Sequence, residues 1–215
     1  MIIVFMGPPG AGKGTQAQIL QENLRIPKLS TGDMLRAAIA AGSEVGKVAE
    51  ELMKNGNLVP DEVVVGIIKE RISQQDCANG FILDGFPRTI NQAQALDKML
   101  KDNNLIVDKV ICLELDAEII VARQAGRRVA PKSGCVYHLE HNPPKVAGKC
   151  DVSGEELMQR DDDKADVVRH RLGIYDNTVK PILEYYDEQG LLNKVAGDQT
   201  VDQVKQQIMS IIEQK

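Results

Sequence analysis

The chain has 215 residues, 43% of them hydrophobic, which is enough for one substantial core with room for small insertions. A formal charge of -5 and a pI near 5.3 argue against a nucleic-acid binder, which would need a basic face toward phosphodiesters. No apolar run has membrane-spanning length, and four cysteines, at 77, 112, 135 and 150, in a chain that starts on a core strand without a signal peptide lead us to expect free thiols in a reducing cytoplasm.

Ile2, Ile3, Val4 and Phe5 form a short, β-branched-rich run without charge, which predicts a strand buried on both faces of a parallel sheet. Gly7, Gly10, Gly12 and Gly14 then free the backbone to wrap an anion with its N–H groups, at the positive dipole end of the helix that follows. Lys13 adds a point charge suited to β and γ phosphates. The pattern GxxxxGK[ST] is matched through Lys13, but Gly14 takes the hydroxyl position and the hydroxyl comes one residue later, as Thr15. Strand, loop, lysine and helix come in the order that phosphate binding needs, so the glycine-rich stretch is more than a turn.

Residues 14–24 read as the first helix. Thr31 reads as the N-cap of a helix running to about residue 41, with Asp33 in its first turn, where the dipole favours a carboxylate. Gly42 ends that helix, residues 43–55 read as another, Gly56 stops it, and 57–60 link it to a helix over 61–73. Together residues 30–73 form an all-helical excursion too long for a simple crossover, as expected of a substrate flap. The next strand, 80–83, runs into DGFPRT at 84–89. Asp84 at a strand's carboxyl end beside a phosphate loop sits where open parallel sheets place ligands, and it can hold the waters of a bound magnesium. Arg88 follows Pro87, whose fixed φ stiffens the turn and aims the guanidinium. Thr89 or Asn91 caps the next helix, which contains Gln92 and runs to about residue 101.

Residues 107–115 read as a third strand with Cys112 as a small buried hydrophobe, and Asp116 as the cap of a helix over 117–126 that carries Arg123 and leads into Arg127 and Arg128. From there to about residue 160 the composition shifts to prolines, glycines and short alternating runs, which predicts an inserted β-rich lid. One long helix over 164–188 follows, with Pro181 as a candidate kink, then a last strand over 191–195 and a closing amphipathic helix over 201–213. Pattern alone therefore yields four strands. Within the lid, Cys135, His138, His141 and Cys150 resemble a zinc quartet by residue type, but odd steps along a strand turn neighbours to opposite faces. A turn at Gly134 would break that alternation and leave Cys150 with Cys135 or a histidine as the alternative.

GPPGAGKGT at 7–15, STGDMLR at 30–36, DGFPRT at 84–89, the segment 123–128, VYHLEHNPPK at 136–145 and QRDDD at 159–163 resemble the long-lid adenylate kinases of bacteria. The resemblance implies an α/β fold of P-loop NTPase type, a parallel five-stranded sheet flanked by helices, so a fifth strand is expected near 27–29. It also implies a core of residues 1–29, 74–126 and 164–215, a helical AMP-binding flap over 30–73 and a lid over 127–163. The implied activity is reversible, magnesium-dependent transfer of the terminal phosphoryl group of ATP to AMP, giving two ADP, by a cytoplasmic monomer that serves adenine nucleotide homeostasis.

By the same resemblance, Lys13, Arg88, Arg123, Arg160 and Arg171 would be catalytic. Gly10, Ala11, Gly12, Lys13, Gly14, Thr15, Arg123, Arg127, Val136, Tyr137 and Gln199 would bind ATP. Thr31, Arg36, Asn57, Leu58, Val59, Gly85, Arg88, Gln92, Arg160 and Arg171 would bind AMP, and Asp33 and Asp84 would hold magnesium through water. Many relatives bind a lid zinc from positions matching Ala130, Ser133, Cys150 and Ser153; here only Cys150 can ligate as a thiolate, so no structural zinc is expected. Ser133 and Ser153 are expected instead to hydrogen-bond across the lid base.

Residue chemistry agrees with such a reaction. Phosphoryl transfer crowds negative charge, so position and positive charge do most of the work, and arginine forks grip two phosphate oxygens while staying protonated. No general base is needed, because a phosphate monoester acceptor with a second pKa of about 6 is already largely a dianion. Two other classes compete: a different phosphate-loop kinase or nucleotide switch, and an idle nucleotide-binding module. The GKGT ending and arginine-rich lid weigh against the first, and the presence of Lys13 with every motif arginine weighs against the second. Thr31 looks like the adenylate form, whereas uridylate and cytidylate kinases tend to carry alanine there.

Overall fold

A computed structural model describes residues 1–214. In chain order, β1 (Ile2–Met6), α1 (Lys13–Leu24) and β2 (Lys28–Ser30) are followed by α2 (Thr31–Ala40), α3 (Glu44–Lys54) and α4 (Asp61–Ile72). The chain continues through β3 (Phe81–Asp84), α5 (Ile90–Lys101), β4 (Lys109–Glu114) and α6 (Ala117–Gly126) into a hairpin of β5 (Arg127–Val129) and β6 (Val136–His138). It ends with α7 (Ala165–Asp187), β7 (Leu192–Ala196) and α8 (Val201–Glu213). The central sheet has five parallel strands in the order β2-β3-β1-β4-β7.

β1 shows why a run without charge makes a central strand. Its side chains alternate between two cores: Ile2, Val4 and Met6 pack with Leu83, Leu96 and Ile182, while Ile3 and Phe5 pack with Leu20, Ile111 and Ile208 on the other face. The first core is shared with α5, α7 and the helices of residues 31–72, the second with α1 and α8.

The hidden fifth strand is β2, at the sheet edge. It has three residues, of which only Leu29 is buried, so neither length nor alternation marks it in the sequence. Thr31 is not the cap of α2. Ser30 is, in extended geometry with φ -94° and ψ 110°, its Oγ accepting from Asp33 N at 3.3 Å. Thr31 is instead buried, with Oγ1 donating to Gly85 O at 2.9 Å. Thr89, not Asn91, caps α5, and Asp116 precedes α6 without a side-chain capping bond.

In the hairpin, Gly134 turns with φ +73° and donates its N–H to Ala130 O at 2.9 Å. β6 stops at His138, which corrects the strand argument for the cysteine and histidine quartet. A tight turn follows, in which His138 Nδ1 accepts from the N–H groups of Glu140 and His141 at 3.1 Å each, and the two imidazoles stack with centroids 4.4 Å apart. Among the described residues, no three His, Cys, Asp or Glu side chains converge as a metal site. Ser153 Oγ donates to Ser133 Oγ at 3.4 Å and to Glu155 Oε1 at 2.8 Å. Glu155 also accepts from the N–H groups of Lys132 and Ser133 at 2.9 Å each.

Candidate active site

The loop between β1 and α1 lies at the carboxyl end of the sheet, the position that open parallel sheets use for ligands. Gly7, with φ +133°, runs so close to β4 that a Cβ would stand 2.6 Å from Leu113 O, so no other residue fits there. Lys13 opens α1, and its Nζ donates to Gly7 O and Pro8 O at 2.7 Å each. Burial pushes its ammonium down to about 8, with Asp84 opposing the shift.

The turn after β3 forms the facing wall. Arg88 Nε donates to Gly85 O at 2.8 Å, and Arg88 N donates to Gln92 Oε1 at 2.8 Å. Gln92 Nε2 donates to Asp61 Oδ1 at 2.7 Å, while Thr89 Oγ1 donates to Asp61 Oδ2 at 2.8 Å. The first residue of α4 thus anchors this turn through both carboxylate oxygens. Burial pushes the Arg88 guanidinium down, and Asp84 works against that.

Lys13, Leu58, Gly85, Arg88 and Arg171 line one cleft of about 630 Å³, counting the space open to solvent at its mouth. Arg171, on α7, donates to Asp162 O at 2.9 Å and to its Oδ2 at 3.0 Å, and burial pushes its guanidinium down to about 10. Arg160 is likewise pushed down to about 10, by burial and then by Arg36 and Arg127, and its Nη2 lies 3.5 Å from Asp33 Oδ1. Asp33 accepts from Arg36 Nη2 at 2.6 Å; burial opposes its ionisation, but Arg36 and Ser30 hold its carboxyl below the usual range. Arg127 forks onto the fully buried Asp163 through Nε and Nη2. After burial, neighbouring cations add to the lowering of Arg88, Arg160 and Arg171, and such a cluster is stabilised by an anionic guest.

Other candidates lie apart from this cleft. Arg123 Nη1 donates to Gly197 O at 2.8 Å, which ties α6 to the loop that carries the exposed Gln199. Val136 is exposed, whereas Tyr137 turns into the hairpin interior, where its hydroxyl accepts from Asp151 N at 2.7 Å. Asn57 Oδ1 meets His170 Nε2 at 2.9 Å, and Val59 is buried in the first core. Sequence reasoning missed Asp61, Asp162 and Asp163, the carboxylates that hold the site's side chains. No local pattern pairs a carboxylate with an arginine many residues away.

Magnesium bound with nucleotide needs one or two carboxylates, phosphate oxygens and waters rather than an all-protein cage. Asp84 fits this. Among the described residues its carboxylate oxygens receive no hydrogen bond, and its Oδ2 would lie 3.3 Å from a Cβ on Gly14. Asp33 would first have to leave Arg36.

The sequence model of the adenylate kinase family matches residues 5–191 of this chain. The chain belongs to the adenylate kinase family. It is 52% identical over 213 residues to the adenylate kinase of Chloroherpeton thalassium, covering 99% of this chain and 98% of that one. It is 52% identical over 213 residues to that of Archaeoglobus fulgidus, with the same coverage, and 49% identical over 215 residues to that of Thermodesulfovibrio yellowstonii, end to end. As an adenylate kinase family member it is a phosphotransferase, and the five-stranded parallel sheet flanked by helices is the fold expected of that family. Among the described residues, no helix is long and apolar enough to cross a membrane.

Proposed function

We propose that this phosphotransferase moves the terminal phosphoryl group of ATP to AMP, reversibly, giving two ADP. The observation that carries the reading is the gathering of Lys13, Arg88 and Arg171 around one cleft at the mouth of the phosphate loop, with Arg36 pressing electrostatically on Arg88, Arg127 on Arg171, and both on Arg160. Two phosphate chains meeting end to end present the charge that such a cluster lacks.

In this reading, Gly10, Ala11, Gly12, Gly14 and Thr15 cradle the ATP phosphates with backbone N–H groups, and Lys13 leaves the carbonyls of Gly7 and Pro8 to bind them. Arg123, Arg127, Val136, Tyr137 and Gln199 complete the ATP side, the last two through backbone or after rearrangement. Arg36 and Arg88 hold the AMP phosphate, Thr31, Asn57, Leu58, Val59, Gly85 and Gln92 border its nucleoside, and Arg160 and Arg171 span both substrates. Magnesium bound with ATP would neutralise phosphate charge, held through water by Asp84 and, once freed from Arg36, Asp33. The acceptor phosphate attacks in line as a dianion, so the protein supplies alignment and positive charge rather than a base. Residues 30–73 act as a flap and 127–163 as a lid, and their closure keeps out water that would otherwise hydrolyse ATP. A monomer in a reducing cytoplasm completes the reading, in line with four unpaired cysteines.

The test is a coupled assay of ADP formation from ATP with a panel of nucleoside monophosphates. AMP should be strongly preferred; equal use of UMP or CMP, or ATP consumption with no monophosphate acceptor, would overturn the assignment.

A further inference from the structure

Gln124 lies on the last turn of α6, beside Arg123, and the proposed reaction gives it no part. It is 2% exposed, and its Nε2 is buried without a hydrogen-bond partner. The amide presses on the phosphate loop: a Cβ placed on Gly10 would stand 2.9 Å from Gln124 Cγ and 3.1 Å from Nε2. Gly10 has φ +85°, so side chain and bare loop backbone are fitted against each other.

A buried N–H donor without a partner burdens the free protein. An apolar residue would fill the space without that burden, as Ile120 does one turn away, its Cγ2 3.1 Å from the same Cβ position. Two of the loop's carbonyls are held by a side chain in the free protein, since Lys13 Nζ donates to Gly7 O and Pro8 O at 2.7 Å each, and Pro8 O also accepts from Ala11 N at 3.2 Å. A nucleotide that draws Lys13 onto phosphate takes this donor away from the loop, and Gln124 holds a spare one against it.

We infer that Gln124 is a positioning residue for the phosphate loop: its amide donates to a backbone carbonyl of residues 8–10 when nucleotide draws Lys13 away, and so keeps the loop N–H groups aimed at the phosphates. This rests on the reading of that loop as the ATP phosphate site. The same turn of α6 is braced elsewhere, because Arg123 Nη1 donates to Gly197 O at 2.8 Å. Gln124 therefore pushes from a fixed base.

The test uses the full chain, its Gln124→Leu and Gln124→Met variants, and a nonhydrolysable ATP analogue. The Gln124 side-chain amide protons, assigned by their loss in either variant, should shift downfield and exchange more slowly when the analogue binds, but not when AMP alone binds. Both variants should raise KM for ATP about three- to tenfold, the range of one net hydrogen bond, with KM for AMP unchanged and the free protein melting no lower. Amide resonances that ignore the analogue, or variants that use ATP as the parent does, would overturn the inference. If Gln124→Leu does not fold, Gln124→Met and the parent's amide resonances still decide it. A parent that makes no ADP from ATP and AMP would sink the proposed function; an active parent with a silent amide sinks only the role of Gln124.

Discussion

Arg160 and Asp33 lie 3.5 Å apart and join the segment after the hairpin to the first turn of α2, where Asp33 is already held by Arg36 at 2.6 Å. Asp33 is half exposed, so the pair adds little to stability, within about 1 kcal/mol for a surface ion pair. Its position between two arginines also bears on the metal. We expect Asp84→Asn to raise the magnesium concentration needed for half-maximal turnover far more than Asp33→Asn does. A magnesium titration of both variants checks this, and an equal effect would contradict the geometry.

Lys13→Met should fold normally and lose turnover by about 10²–10³-fold, the range for removing one preorganised donor to a charged transition state. The companion readout is thermal melting, which should not fall, because the variant no longer buries an ammonium group.

The proton on Lys13 offers a separate check. Burial lowers its pKa from 10.5 to about 8 in the folded chain, so between those values the unfolded chain binds more protons and this group makes stability rise with pH. Phosphate beside the ammonium should restore the proton. Binding of an ATP analogue near pH 8.5 should then take up protons, whereas binding near pH 6.5 should not, as calorimetry in two buffers of different ionisation enthalpy would reveal. Uptake that persists in Lys13→Met would assign the proton elsewhere.

The ion pair of Arg127 with Asp163 is asymmetric, because the carboxylate is fully buried while the guanidinium side chain is 23% exposed. Removing Arg127 strands a buried charge and should cost about 3–5 kcal/mol in chemical denaturation. Asp163→Asn should cost less, since Arg127 can turn toward water; the reverse ranking would be a failure of this account.

Beside the β5–β6 hairpin, Glu155 accepts two backbone N–H groups and the Ser153 hydroxyl; although burial opposes ionisation, these bonds pull its carboxyl down to about 2. Its contribution to the order of residues 132–155 is complete above its ordinary value of 4.5 and is lost as pH falls toward 2. Amide exchange of residues 132 and 133 should quicken over that window, and Glu155→Gln should do the same at neutral pH. Protein purified without chelator should carry far less than one zinc per chain, a point for elemental analysis.

The inner strands are readable from sequence because a strand covered on both faces excludes charge, as in Ile2 to Phe5 and in Val110 to Leu113. β2 is not, since an edge strand of Lys28, Leu29 and Ser30 needs only one apolar contact. The glycine-rich loop with Lys13, and the arginines Arg88 and Arg171 that share its cleft, stand out in the sequence because they fall in runs of fixed residue types at fixed spacing. Their supports do not: Asp61, Asp162 and Asp163 find partners through tertiary packing, and nothing in the run DDD sets the fully buried Asp163 apart from its two neighbours. Ser30 and Thr31 are equivalent cap residues by composition, and only the end of β2 decides between them. Val136 and Tyr137 are both apolar by type, so the sequence could not say which would turn inward.

Asp61 belongs to α4 of the proposed flap, yet its two oxygens are divided between Thr89 and Gln92 on the wall that carries Arg88. Motion of residues 31–60 relative to the sheet thus has a fixed point at their own far end. In the proposed closure, a door hung this way would sweep widest near residues 40–45 and least beside Arg88, so the groove proposed for the acceptor phosphate would keep its shape while the entrance opens and shuts.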